Sequence, residues 1–187
     1  MRSVLPFDEL NKFVTVTLPA HFDASGRIKS KKDEEDIIDE LLDLFLLAYA
    51  MGNDVTNASL SSDWKPTLDE VMQTVDKKVA GKTWRERVED YFANGGSVGD
   101  IVRIAETETH RDANEAALNT AIHGGASMKT WITMLDDRVR DTHFPLEGVS
   151  VPIDADFYTW DGDRAQAPGL FERAENNVNC RCELLFE

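Results

Sequence analysis

The sequence predicts an α+β fold: a helical N-terminal region followed by a small mixed α/β domain in which a long helix packs on a short sheet. Three observations carry this. Helix start and stop signals recur through the first two thirds of the chain. After Gly125 the pattern changes to short β-branched and aromatic runs. The order is therefore helices first and mixed elements second. A chain of 187 residues and 21.0 kDa fits one domain, or one small domain with a helical extension. The break at Asn94-Gly95-Gly96 is the expected boundary, dividing 1–95 from 96–187.

The first element is weakly signalled. Phe13-Val14-Thr15-Val16-Thr17-Leu18 alternates and is β-branched, which predicts a short strand ending at Pro19. From Ser30 the signals sharpen. Ser30 with Asp33 forms a capping arrangement, and Asp33 to Asp36 place four acids where the helix dipole favours them. Ile37, Leu41, Leu44, Phe45 and Ala48 follow at helical spacing, and Gly52-Asn53 reads as the stop. Three capping boxes come next: Thr67 with Glu70, Thr83 with Glu86, and Ser97 with Asp100. The helices they open run through Leu68 to Val79, Trp84 to Phe92 and Ile101 to Ala117. Gly81, Gly95-Gly96 and Gly124-Gly125 follow them.

Lys129 to Met134 then reads as a strand. Asp136 to His143 reads as a short helix closed by Pro145 and Gly148. Val149 to Ile153 is a further extended run, and 154–170 is loop-like. Asn179 to Phe186 is the closing strand, its alternation placing Cys180, Cys182, Leu184 and Phe186 on one face.

Composition removes several function classes. With 35 acidic against 20 basic residues and a formal charge of -15, the chain as a whole repels nucleic acid, so any contact with DNA has to be local. Two cysteines exclude a disulfide-dense scaffold, and both read as reduced thiols. Met1-Arg2 followed by Pro6, Asp8 and Glu9 does not read as a signal peptide. The longest apolar stretch, Leu41 to Ala50, is too short for a membrane span, so no membrane partner is expected.

Three constellations could carry chemistry. Cys180-Arg181-Cys182 offers two soft ligands, which His143, His123 or His110 completes only if folding brings them together. The alternative is a pair of small thiols packed beside Leu184 and Phe186, and no metal or other cofactor is assigned from sequence. Glu106, His110 and Asn114 share one side of the long helix, with Glu108 and Asp112 on another. This is either an acid–imidazole pair or, with Glu108 held by an arginine, a structural anchor. Asp136 to His143 pairs two arginines with three aspartates, as an ion-pair network or a phosphate holder. No nucleophile elbow, phosphate-binding glycine loop, dinucleotide fingerprint or zinc-protease motif is present.

Read in order, the C-terminal half carries a signature. It runs Ala105-Glu106-Thr107-Glu108-Thr109, Asn114, Lys129-Thr130-Trp131, Asp136-Asp137-Arg138-Val139-Arg140-Asp141-Thr142-His143, Leu146-Glu147-Gly148, Pro168-Gly169 and Asn179-Cys180-Arg181-Cys182. This resembles the phage Mu F-like minor head proteins, also called head morphogenesis proteins, over roughly 97–187. The resemblance implies a structural virion role: association with the portal protein at one capsid vertex, partnership with capsid or scaffolding proteins in head assembly, and in some phages genome delivery. It implies no catalysis. Under it, Glu108, Arg138, Arg140 and His143 are expected in one buried polar cluster that fixes the packing. Ile37, Leu41, Leu44 and Phe45 are expected either to dock into a partner's groove or to pack on 68–92. The competing reading is a small nuclease or transferase using Glu108, His110, Arg138 and His143, which requires these groups to converge on an open pocket.

Overall fold

The computed structural model describes residues 6–79 and 81–187. Helix α1 (Phe7–Lys12) continues through a π-helical turn (Phe13–Thr17) into the short α2 (Leu18–Ala20). The strand expected over Phe13 to Leu18 is not formed. Its buried members are Phe13 and Leu18, five positions apart. An α-helix would point them about 140° apart, and the wider π turn, closed by Leu18 N–H on the Phe13 carbonyl, brings them to one side. Burial of these two side chains overrides the β propensity of the valines and threonines between them.

Helix α3 (Lys31–Leu60) starts where expected, with the Ser30 hydroxyl accepting the Asp33 N–H at 3.2 Å. Helices α4 (Leu68–Val75), α5 (Trp84–Asn94) and α6 (Val98–His123) follow, opened by the three expected capping boxes. At α5 the box is reciprocal: Glu86 N–H donates to Thr83 Oγ1 at 3.1 Å, and Thr83 N–H donates to the Glu86 carboxylate at 2.7 Å. Thr83→Ala is expected to cost about 1 kcal/mol in urea unfolding, and Thr83→Ser almost nothing, because only the hydroxyl is needed. Two helix ends differ from expectation. α3 runs on to Leu60 instead of stopping at Gly52-Asn53, because Gly52 is buried against Ala113 of α6 and does not terminate the helix. α4 stops at Val75, short of Val79, because the Arg111 guanidinium takes the Thr74, Val75 and Lys77 carbonyls at its end.

The stripe on α3 is consumed within the chain. Ile37, Leu41, Leu44 and Phe45 are all buried, in one cluster with Val75, Trp84, Val88, Ile101, Ile104 and Ala105. Phe45 meets the edge of Trp84 at 5.1 Å. Of the two expected uses, the fold takes internal packing, on 68–92 and on α6 as well. The four residues offer no free docking face in this fold.

Beyond α6, β1 (Met128–Ile132) is the centre of a three-stranded antiparallel sheet between β2 (Ser150–Pro152) and β5 (Glu183–Phe186). The stretch expected as a loop holds a two-residue hairpin, β3 (Phe157–Tyr158) with β4 (Arg164–Ala165), and α7 (Ala174–Asn177) precedes the tail. Leu118 of α6 packs in a second cluster with Trp131, Leu146, Phe157, Phe171 and Leu184, so the long helix does lie on the short sheet. The clusters do not divide at residues 95 and 96: the first turns of α6 belong with the N-terminal helices and its later turns with the sheet.

Candidate functional site

The tail and β1 are joined by their ladder, in which Trp131 faces Leu184 and Ile132 faces Glu183. Only 183–186 is regular strand. Asn179 sits at φ 56°, and Cys180 to Cys182 bend toward the turn that follows β1. That turn replaces the helix expected over Asp136 to His143. Leu135 adopts φ 52°, and the Asp136 carboxylate accepts the Arg138 N–H at 3.1 Å, a local bond that competes with helix formation. The chain then tightens, with His143 N–H on the Arg140 carbonyl at 2.9 Å, into a single 3-10 turn (Phe144–Leu146). His143 thereby reaches the interior. Its ring stacks on Phe171 at 5.1 Å and meets Trp131 edge-on at 5.5 Å.

The two cysteine sulfurs meet it there. His143 Nδ1 lies 3.6 Å from Cys180 Sγ and 3.6 Å from Cys182 Sγ, and all three side chains are buried. Of the sequence candidates for a metal, His143, Cys180 and Cys182 are brought together, while His123 is left at the far end of α6, stacked on Trp64. Cys180 is held well below the ordinary thiol range, first by a hydrogen bond from Cys182 and then by His143. Cys182 is pushed up by the same bond and by burial. Around the triad the frame is tied by backbone and amide bonds. Asn114 Nδ2 donates to the Cys182 carbonyl at 3.2 Å, Asn179 N–H donates to Thr107 Oγ1 at 3.4 Å, and Arg140 donates to the Val178 carbonyl. Asn177 clamps Phe171 with two bonds of 2.7 and 2.9 Å.

The four-residue polar cluster does not assemble as expected. Glu108 lies instead between Arg87 and Arg111, at 2.6 Å from each, and Arg111 also binds Asp112 at 2.7 Å. Arg140 serves the tail, and Arg138 is exposed beside Asp136. His110 is buried with Nδ1 beside the Asn114 amide at 3.0 Å, and burial lowers its pKa. His110 and Arg138 both border one open cavity of about 580 Å³, but Glu108 and His143 do not line it, so the four do not converge on one pocket.

Sequence reasoning missed Arg87, Arg111 and Asp163. The signal for Arg111 was its i, i+3 spacing from Glu108 in an alanine-rich helix. Asp163 accepts the Arg164, Glu172 and Arg173 N–H groups and the Asn176 amide, and so pins the loop behind the tail. Gly169 explains its place in the signature. At φ 87° it brings the loop onto α6, where a Cβ would lie 3.0 Å from Arg111 Cα.

Arg181 reaches back across the turn to Asp136 with two bonds of 2.8 and 2.6 Å. This holds the Asp136 carboxyl down to about 2. Its folded value lies below its unfolded one, so its contribution is present above about pH 4 and fades as pH falls toward 2. Asp136→Asn is expected to flatten the acid limb of Tm against pH in that window, and a carboxyl titration by NMR should place the Asp136 midpoint near 2.

A family model described as "Phage Mu protein F like protein" matches residues 50–185. The chain belongs to this family. The match extends the resemblance seen over 97–187 back through α4 and α5 into the end of α3, so the helices that build the Arg87–Glu108–Arg111 cluster fall within the Mu F-like region. Among curated proteins the chain is 32% identical over 85 residues to "Minor head protein GP7" of Bacillus phage SPP1, covering 44% of this chain and 28% of that protein. It is 26% identical over 148 residues to "NAD(+)--arginine ADP-ribosyltransferase EFV" of Enterococcus faecalis (strain ATCC 700802 / V583), covering 61% of this chain and 30% of that protein. The chain thus spans under a third of either curated relative. No solved structure matches it.

Proposed function

We propose that this Mu F-like chain is a minor head protein of a tailed phage or prophage, acting in head assembly at the portal vertex and in genome delivery. The observation that carries the reading is the family match over 50–185, joined by the likeness to a phage minor head protein. The geometry supports an assembly role over a catalytic one. Glu108 is locked between two arginines and His143 faces two thiols, so of the four groups an enzyme would need only His110 and Arg138 share the open cavity of about 580 Å³. The charge of -15 opposes a broad DNA-binding face and favours solubility until a partner is met. None of the helices is long and apolar enough to cross a membrane among the described residues.

The test is co-expression with the portal protein encoded in the same operon, followed by size-exclusion chromatography. The chain is expected to co-elute with the portal ring. Separate elution of two folded proteins would remove the portal from the reading while leaving family membership intact.

A further inference from the structure

We propose that Cys180, Cys182 and His143 form a binding site for one zinc(II) ion, with the two sulfurs and His143 Nδ1 as protein ligands and water at the fourth vertex. The inference rests on the arrangement of donors and is independent of the head-protein reading.

The spacing of the donors is that of a tetrahedron's face. With Zn–S of about 2.3 Å and Zn–N of about 2.0–2.1 Å, tetrahedral angles give an S···N edge of about 3.6 Å and an S···S edge of about 3.8 Å. His143 Nδ1 lies 3.6 Å from each sulfur, and the three donor atoms all lie within 4.8 Å of one another. No other His, Cys or carboxylate joins the group among the described residues, which leaves the fourth vertex to solvent. A cavity of about 10 Å³ bordered by His143, Cys182, Arg140 and Arg181 lies against the triad, about the room one water molecule needs. A larger one of about 580 Å³ reaches Cys180 from the His110 side.

Chemistry selects the ion. Two thiolates and one imidazole suit a soft or borderline cation and disfavour magnesium and calcium, which take oxygen. Two thiolates also neutralise one divalent cation, so the complex adds no net charge to a buried position. The surroundings fix the donors before any ion arrives. His143 is held between Phe171 and Trp131, the Cys182 carbonyl is held by Asn114, and Cys180 N–H donates to the Asn177 carbonyl at 3.0 Å. A bound ion would staple the tail to the turn across 37 and 39 residues of chain, directly over Trp131. This is where the structure differs most from the packed-thiol alternative: the sulfurs share their site with an imidazole nitrogen and do not only fill space beside Leu184.

The full chain, reduced and stripped of metal, is titrated with cobalt(II) and with zinc(II). The expected cobalt spectrum has a thiolate-to-metal charge-transfer band and the intense visible bands of a tetrahedral centre, saturating at one equivalent. Zinc in excess is expected to raise Tm by about 5–10 °C, since it binds the folded state alone. Cys180→Ser combined with Cys182→Ser should abolish the charge-transfer band, and His110→Ala should leave the stoichiometry unchanged. If the serine variant fails to fold, the titration of the unsubstituted chain decides by itself. A folded, reduced chain that shows no charge-transfer band and no change in Tm overturns the proposal. Undiminished cobalt binding in the folded serine variant, or loss of binding in folded His110→Ala, overturns the ligand set.

Discussion

Arg111→Met is expected to cost about 3–5 kcal/mol and to lower Tm by roughly 10 °C or more, measured by chemical and thermal unfolding. The side chain has the volume and helix propensity to fill the site, so the loss is electrostatic. Arg111 is about 1% exposed and holds two carboxylates at once, Glu108 at 2.6 Å and Asp112 at 2.7 Å. Without it, Glu108 keeps Arg87, but Asp112 is left buried with no cation. The same guanidinium also satisfies three carbonyls at the end of α4, which methionine cannot do. The effect should depend on pH in a stated direction. Burial raises the Asp112 pKa well above its ordinary value, and Arg111 pulls it back. Removing the arginine removes that restraint. A group whose folded pKa lies above its unfolded one supports the fold while protonated and loses that support as pH rises. The Tm deficit of the variant should therefore be smaller at pH 5 than at pH 8. A deficit independent of pH would mean that Asp112 is not the group left stranded.

How much of this was legible in the sequence depends on the range of the forces involved. Helix starts at Thr67, Thr83 and Ser97 were readable because a cap is a contact between residues three apart. The central strand and the closing strand were each readable from their own composition, but that they pair, with Trp131 facing Leu184, is shown only by the fold. What failed were the places where a distant residue decides. The end of α4 is set by Arg111, which lies 36 residues from Val75. The turn at Asp136 is fixed partly by Arg181, 45 residues away. The π turn at Phe13–Thr17 exists because two side chains five apart must both enter the core. The site divides the same way. The sequence supplied the histidine and both cysteines, but only the fold shows that His143 and not His123 or His110 completes the set. The Glu108 anchor was readable as a possibility, and Arg111 could have been added from its i, i+3 spacing on the same helix, but Arg87 lies 21 residues away and nothing local distinguishes it from a solvated arginine.

Gly52 states the same lesson as an experiment. Within a helix, glycine is normally a liability, and replacing it with alanine gains up to about 1 kcal/mol. At Gly99, exposed in the first turn of α6, that rule should hold. A Cβ there meets nothing closer than 3.6 Å, so Gly99→Ala is expected to be neutral or stabilising by about 0.5 kcal/mol. At Gly52 the rule should reverse. A Cβ there would lie 2.2 Å from the Ala113 carbonyl oxygen and 3.0 Å from the carbonyl carbon. The obstacle is helix backbone, which cannot rotate aside as a side chain can. Relief requires α3 and α6 to part by about 1 Å, which loosens close packing along their whole contact. The polar bonds that cross the same interface would stretch with it, including Asn53 Nδ2 on Thr120 Oγ1 at 2.8 Å. Gly52→Ala is therefore expected to cost about 3 kcal/mol, at the upper end for overpacking, in the same urea titration that finds Gly99→Ala harmless. Because α6 carries the Arg111 cluster in the middle and Asn114 beneath the tail, the displacement should also be felt at the cysteines. Modification of Cys180 and Cys182 by a thiol reagent under native conditions is expected to be faster in Gly52→Ala than in the parent chain. Equal stability of the two glycine variants would show that the two helices are not in backbone contact at this point.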